Sequence, residues 1–147
     1  MFEVFQDKKY YYIVSEYCKG KQIFERLSRK DNFSEKDVAR VMFQLLQALN
    51  YCHGKKIVHR DITADSVLFV DKGDDFEIKI ADFGSTGFID EERELVDDQS
   101  ALTFTAPEVF DSSFTTKCDL WSAGILLYLM LSGKKPFKLE SKDTAHE

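Results

Sequence analysis

The stretch from Ser34 to Gly54 limits what this chain can fold into more than any other part of it. Ser34 followed three residues later by Asp37 is a capping box, in which side-chain oxygens satisfy backbone N–H groups that the first turn of a helix leaves open. Phe33, just before the cap, is placed to staple onto Val38. Val38, Val41, Met42, Leu45 and Leu49 then recur at intervals of three and four, so they share one face of a helix that ends at Gly54. That stripe needs an apolar partner. Lys117 to Ser132 offers one, because Leu120, Trp121, Ile125, Leu126, Leu127, Leu129, Met130 and Leu131 make a helix apolar nearly all round before Gly133 stops it. Such a helix belongs at the centre of a domain, with Trp121 in the core.

Strand-like pieces surround these helices. Phe2 to Phe5, the turn Gln6-Asp7-Lys8-Lys9 and Tyr10 to Tyr17 read as an antiparallel hairpin, with Tyr10-Tyr11-Tyr12 as alternating strand surface. Gly20 breaks the second strand, and Ile23, Phe24 and Leu27 give a short helix with one apolar face. Further β-like pieces lie at Ile57-Val58, Val67 to Phe69 and Ile78 to Ile80, with the turn Asp71 to Asp75 between the last two. Ser85 to Ser100 is polar and acidic without a clean period, which predicts a mobile loop. Leu139 to Glu147 predicts a frayed, charged tail. His53, near the end of the long helix, reads as a partner for the helix dipole rather than as a metal ligand.

Composition narrows the partners. A formal net charge of -6 repels a phosphate backbone, so nucleic-acid binding is not expected. The longest strongly apolar run, Gly124 to Leu131, is far short of the ~20 residues that cross a bilayer, so a soluble cytoplasmic protein with no membrane partner is expected. Cys18, Cys52 and Cys118 fit neither a disulfide framework nor a zinc pattern and read as reduced thiols in packing roles.

Three short motifs stand in one order: His59-Arg60-Asp61, Asp82-Phe83-Gly84 and Ala106-Pro107-Glu108. The first follows a long amphipathic helix and a short strand, and the second follows another short strand. In that order and context they resemble the catalytic loop, metal-binding loop and activation-segment end of eukaryotic serine/threonine protein kinases. Glu16-Tyr17-Cys18 resembles the hinge of that family, and Asp119-Leu-Trp121-Ser-Ala-Gly124 the start of its central large-lobe helix. Tyr128 to Gly133, followed by Pro136-Phe137, looks like the calcium/calmodulin-dependent branch. Residues 1 to 138 carry the resemblance. It implies an α+β fold made of the hinge strands of the small lobe and the mainly α-helical part of the large lobe.

It also implies ATP and Mg²⁺ as cofactors, and a protein substrate, another kinase or a regulator as partner. Asp61 would be the carboxylate beside the acceptor hydroxyl, with His59 and Arg60 in the same catalytic loop. The C=O of Glu16 and the N–H of Cys18 would pair with adenine, and Leu68 would pack beneath it. Asp82 and Ser66 would be the metal positions. Read without the resemblance, His59, Arg60 and Asp61 form a buried polar cluster bracing a loop.

The pattern also fails in places. Where the family has a lysine two residues after the catalytic aspartate this chain has Thr63, and where it has a metal-binding asparagine five residues after it this chain has Ser66. A threonine supplies no cation to offset charge developing on the phosphate. Ala101 stands where the family's threonine bonds that aspartate and lysine, and Gln22 where many relatives carry a glutamate. No Gly-rich phosphate loop, Val-Ala-Ile-Lys strand or glutamate-bearing helix precedes Met1, and the later large-lobe helices do not follow Phe137. Little or no activity is therefore expected from the chain, which reads as truncated. The alternative is a non-catalytic, pseudokinase-type docking or regulatory module. In either case Arg60 resembles the arginine that clamps a phosphorylated residue, and the six carboxylates between Asp90 and Asp98 are candidates to fill its anion site.

Overall fold

The Ser34 cap forms as its spacing predicts: the Asp37 N–H donates to Ser34 Oγ at 3.2 Å, and the serine hydroxyl donates back to the Asp37 carboxylate at 2.6 Å. In the computed structural model, which describes residues 1–27, 33–73, 75–89, 102–110 and 115–137, this cap opens a helix over Glu35–Gly54 (α2). The apolar stripe is buried at all five of its positions. The ring of Phe33 packs against Phe69 and Phe76, with centroids 6.0 and 5.9 Å away.

A short helix, Ile23–Leu27 (α1), precedes α2. Two more follow it at Pro107–Phe110 (α3) and Lys117–Ser132 (α4). The glycine expected to stop α4 does so in the left-handed region, with φ 68° at Gly133, where a Cβ would be strained. α4 packs along α2, and Leu45, Leu49, Leu126 and Met130 meet in the core. Next to that side, Cys118 packs with Val58, Ala106 and Val109, while the opposite side of α4 is open among the described residues. Leu120, Tyr128 and Leu131 are exposed, and Trp121, expected in the core, is 38% exposed and stacks flat on Phe137 at 6.2 Å. Periodicity could not separate the covered side from the open one, because the helix is apolar all round.

The strands are short and fall into three small sheets. Glu3–Gln6 (β1) and Tyr11–Val14 (β2) form the expected hairpin. Asp7 closes its turn by accepting the N–H groups of Lys9 and Tyr10 and the hydroxyl of Tyr12. Lys21–Gln22 (β3), Val67–Phe69 (β5) and Ile78–Ile80 (β6) make an antiparallel sheet in the order β3-β5-β6. Gly20 feeds β3 and is buried so tightly that a Cβ there would lie 1.9 Å from the Asp71 carbonyl oxygen. Gln44 ties α2 to this sheet, donating to the Phe76 carbonyl at 2.8 Å and accepting from the Ile78 N–H at 3.1 Å.

Ile57–Val58 (β4) pairs with Gly87–Phe88 (β7). The stretch from Ser85 expected as a loop thus begins with structure: Phe83–Ser85 is a 3₁₀ turn and Gly87 enters a ladder. A two-residue strand carries no period for a sequence reading to find. The acidic run 90–98, Ala101 and the tail 139–147 lie outside the described residues.

Cys118 opens α4 and is buried at its side chain. Burial first, then the charges of Asp119 and Glu108, push its thiol up to about 12. The native state therefore holds a neutral thiol where the unfolded chain ionises. Stability is unaffected by this group below its ordinary value of 9.0 and is lost as pH rises from there toward 12. Urea midpoints measured across that window are expected to fall more steeply for the parent than for Cys118→Ala, and equal slopes would contradict it.

Candidate functional site

The loop that leaves β4 is held from beneath by one carboxylate. Asp119, in the first turn of α4, is 1% exposed, and its Oδ2 accepts the His59 N–H at 2.9 Å while Oδ1 accepts the Arg60 N–H at 2.8 Å. The same Oδ2 accepts from His53 Nε2 at 2.7 Å, so the histidine read as a dipole partner has a specific partner as well. A buried carboxylate is tolerated only when donors surround it. Here the donors are the backbone of the loop itself and the end of α2.

His59 is equally buried and points the other way. Its Nε2 donates to the Ala81 carbonyl at 3.0 Å, and its Nδ1 accepts the Asp61 N–H at 3.3 Å, which assigns the ring hydrogen to Nε2. The edge of this ring meets Phe83 with centroids 4.7 Å apart. His59-Arg60-Asp61 and Asp82-Phe83-Gly84 are thereby brought together through His59. Ser122 Oγ lies 2.7 Å from the Phe104 carbonyl oxygen, which fixes the approach to Ala106-Pro107-Glu108 onto α4.

Arg60 and Asp82 both sit in the left-handed region, with φ 68° and 61°. Non-glycine residues pay for that conformation, and it persists where the surroundings over-determine it. For Arg60 the surroundings are Asp119 Oδ1, which accepts its N–H, and the β7 strand: its Nη2 donates to the Phe88 carbonyl at 2.9 Å, and its guanidinium lies where a Cβ on Gly87 would come within 2.4 Å. Asp82 caps the 3₁₀ turn by accepting the Gly84 N–H at 3.4 Å.

A cleft of about 710 Å³ opens between the hairpin and the β5–β6 sheet. Its walls include Glu16, Cys18, Leu68 and Asp82, together with Met1, Ile13, Lys79 and Phe83. Lys79 reaches across to Glu16 Oε2 at 2.8 Å, a bond that raises its pKa and keeps it cationic. Burial raises the pKa of the Cys18 thiol, with Glu16 adding to the effect. Asp61, half-buried in the loop that leaves β4, is not among the cleft's walls.

Asp82 fits a magnesium ion: its carboxylate is a hard oxygen ligand on an exposed residue at the cleft wall. Among the described residues no group of three His, Cys, Asp or Glu side chains could hold a metal ion, so of these residues Asp82 alone would meet the ion, with a nucleotide's phosphates and water as further ligands. Ser66 is placed differently, 3% exposed and hydrogen-bonded in both directions to Thr63.

Three residues of this site escaped the sequence reading. Asp119 stands within a motif, but its anchoring of the loop rests on contacts 59 and 60 residues away, which no local pattern signals. Lys79 carried no local pattern. Gly87 looked like loop composition, whereas it makes room for the Arg60 guanidinium.

Comparison with known proteins agrees with this geometry. The family model described as the protein kinase domain matches residues 1–147. The chain is 34% identical over 97% of its length to calcium-dependent protein kinase 5 of Plasmodium berghei (strain Anka). It is 36% identical over 97% to calcium-dependent protein kinase 29 of Arabidopsis thaliana. Over 92% it is 36% identical to calcium/calmodulin-dependent serine/threonine-protein kinase 1 of Oryza sativa subsp. japonica. The chain covers 25%, 27% and 23% of those three proteins, so it spans about a quarter of the curated relatives it matches.

Proposed function

The chain belongs to the protein kinase domain family, and from that premise we propose that its cleft holds an adenine nucleotide in a kinase-type module whose phosphoryl transfer to protein serine or threonine is slow or absent. The observation that carries the reading is the cleft itself, which gathers Glu16, Cys18, Leu68 and Asp82 around one space. The Glu16 carbonyl and the Cys18 N–H would pair with adenine, Leu68 would supply the apolar floor, and Asp82 would hold magnesium against the phosphates. Magnesium, when bound, supplies positive charge to phosphate oxygens that are becoming more negative.

Asp61 would accept the proton of the substrate hydroxyl, and His59 and Arg60 fix the backbone that carries it through their bonds to Asp119, Ala81 and Phe88. Thr63 brings no cation to the transferred group. Phosphoryl transfer depends almost wholly on positioning and electrostatic stabilisation, so that loss bears directly on rate. The same substitution favours a second reading, a docking or regulatory module for another kinase or a regulator, in which the loop frame is kept for shape.

Among the described residues the nucleotide would be contacted from few sides, and binding by this chain is expected to be weak. A thermal-shift titration with ATP and magnesium should give no saturable shift at micromolar nucleotide, since tight binding would raise the midpoint by mass action. At millimolar ADP the amide resonances of Cys18 and Leu68 should move. A saturable micromolar shift contradicts weak binding, and still resonances contradict the cleft assignment.

A further inference from the structure

The turn that follows Asp61 closes on itself. Thr63 Oγ1 accepts the N–H groups of Asp65 at 3.2 Å and Ser66 at 3.3 Å. Ser66 Oγ accepts the Thr63 N–H at 2.9 Å and donates to the Thr63 carbonyl at 3.2 Å. The Ser66 carbonyl in turn accepts the Ala81 N–H at 2.8 Å, which fixes the closed turn to the strand leading into Asp82.

A hydroxyl has one proton and two lone pairs. Ser66 uses its proton and one lone pair inside the turn, and the residue is 3% exposed. Magnesium asks for near-ideal octahedral geometry and gives up water reluctantly, so it is served by accessible oxygens. Swinging Ser66 Oγ outward to meet an ion would strip the Thr63 N–H of its acceptor and leave a half-buried donor unsatisfied. The position where the resemblance implied a second metal ligand does not fit one.

We propose that the Thr63–Ser66 pair makes this turn independent of any cation, and that a nucleotide in the cleft carries one divalent ion, on Asp82 alone. The one-ion half rests on the nucleotide reading above; the turn half does not.

Amide hydrogen exchange at Thr63, Asp65 and Ser66, read by NMR on the 147-residue chain in chelator and in magnesium, tests the turn without any variant. Protection is expected to be the same in both. Thr63→Ala should lose about tenfold or more of it at Asp65 and Ser66, and Thr63→Ser, which keeps the oxygen, should retain it. Protection that rises with magnesium and falls again in chelator overturns the proposal.

Manganese counted by electron paramagnetic resonance at saturating ADP tests the second half. One ion per chain is expected, lost in Asp82→Asn and unchanged in Ser66→Ala. Two ions, one of them lost in Ser66→Ala, overturns it. Absence of both ion and nucleotide overturns the one-ion half together with the nucleotide reading, while the amides still decide the turn.

Discussion

Asp119→Ala is expected to cost about 2–5 kcal/mol, because it takes the acceptor from two consecutive backbone donors that lie wholly or partly out of water. The side chain is 1% exposed and accepts from three donors: two consecutive backbone N–H groups of the loop after β4 and the ring of His53. Alanine leaves the N–H of His59, within a nearly fully buried residue, without its acceptor, and an unpaired buried donor costs about 1–3 kcal/mol. Arg60 loses one of the bonds that hold it at positive φ. Since domains of this size are stable by only about 5–15 kcal/mol, the loss is a large fraction of the total. Asp119→Asn keeps one acceptor oxygen and should fall between. Urea denaturation read together with amide exchange at His59 and Arg60 checks this. A midpoint equal to the parent's, with protection kept at both amides, would show that the loop is held some other way.

Much of this frame was legible beforehand, for physical reasons that differ by element. The bounds of α2 follow from a cap and a period, and the end of α4 from a terminating glycine, all local properties. The three motifs were legible because each has a fixed order and a fixed neighbour element. The side of α4 that is covered was not, since a helix without a polar face carries no phase. Trp121 was misplaced for that reason. β7 was missed because Gly87-Phe88 is too short to alternate and lacks the β-branched residues that mark the equally short Ile57-Val58. The anchoring by Asp119 is a contact across 59 and 60 residues, invisible to any window. Within the candidate site, the types at Glu16, Cys18, Leu68 and Asp82 could be named, but that they line one cleft needed the fold. Ser66 shows the converse: its position suggested a ligand, and only the bonds to Thr63 show that its hydroxyl is engaged.

The central claim is that the loop frame is intact while the charge needed for transfer is missing from it. Thr63→Lys should return a cation to the transferred phosphate, Ser66→Asn a longer carbonyl ligand, and Ala101→Thr the hydroxyl that the resemblance places between Asp61 and that lysine. Losing one preorganised charge-stabilising group costs roughly 10²–10³ in rate, so restoring it should return at least about a hundredfold. Because lysine abolishes the Thr63 Oγ1 bonds, the asparagine has to accompany it for the turn to reform around a new partner. The test replaces the matching stretch of a calcium-dependent relative with this sequence, parental or repaired, and measures phosphate transferred from ATP to a serine peptide at equal folded protein. The account predicts barely detectable transfer by the parental graft, a gain of about a hundredfold or more in the repaired one, and loss of that gain in a repaired graft carrying Asp61→Asn. Equal rates in the parental and repaired grafts would contradict it.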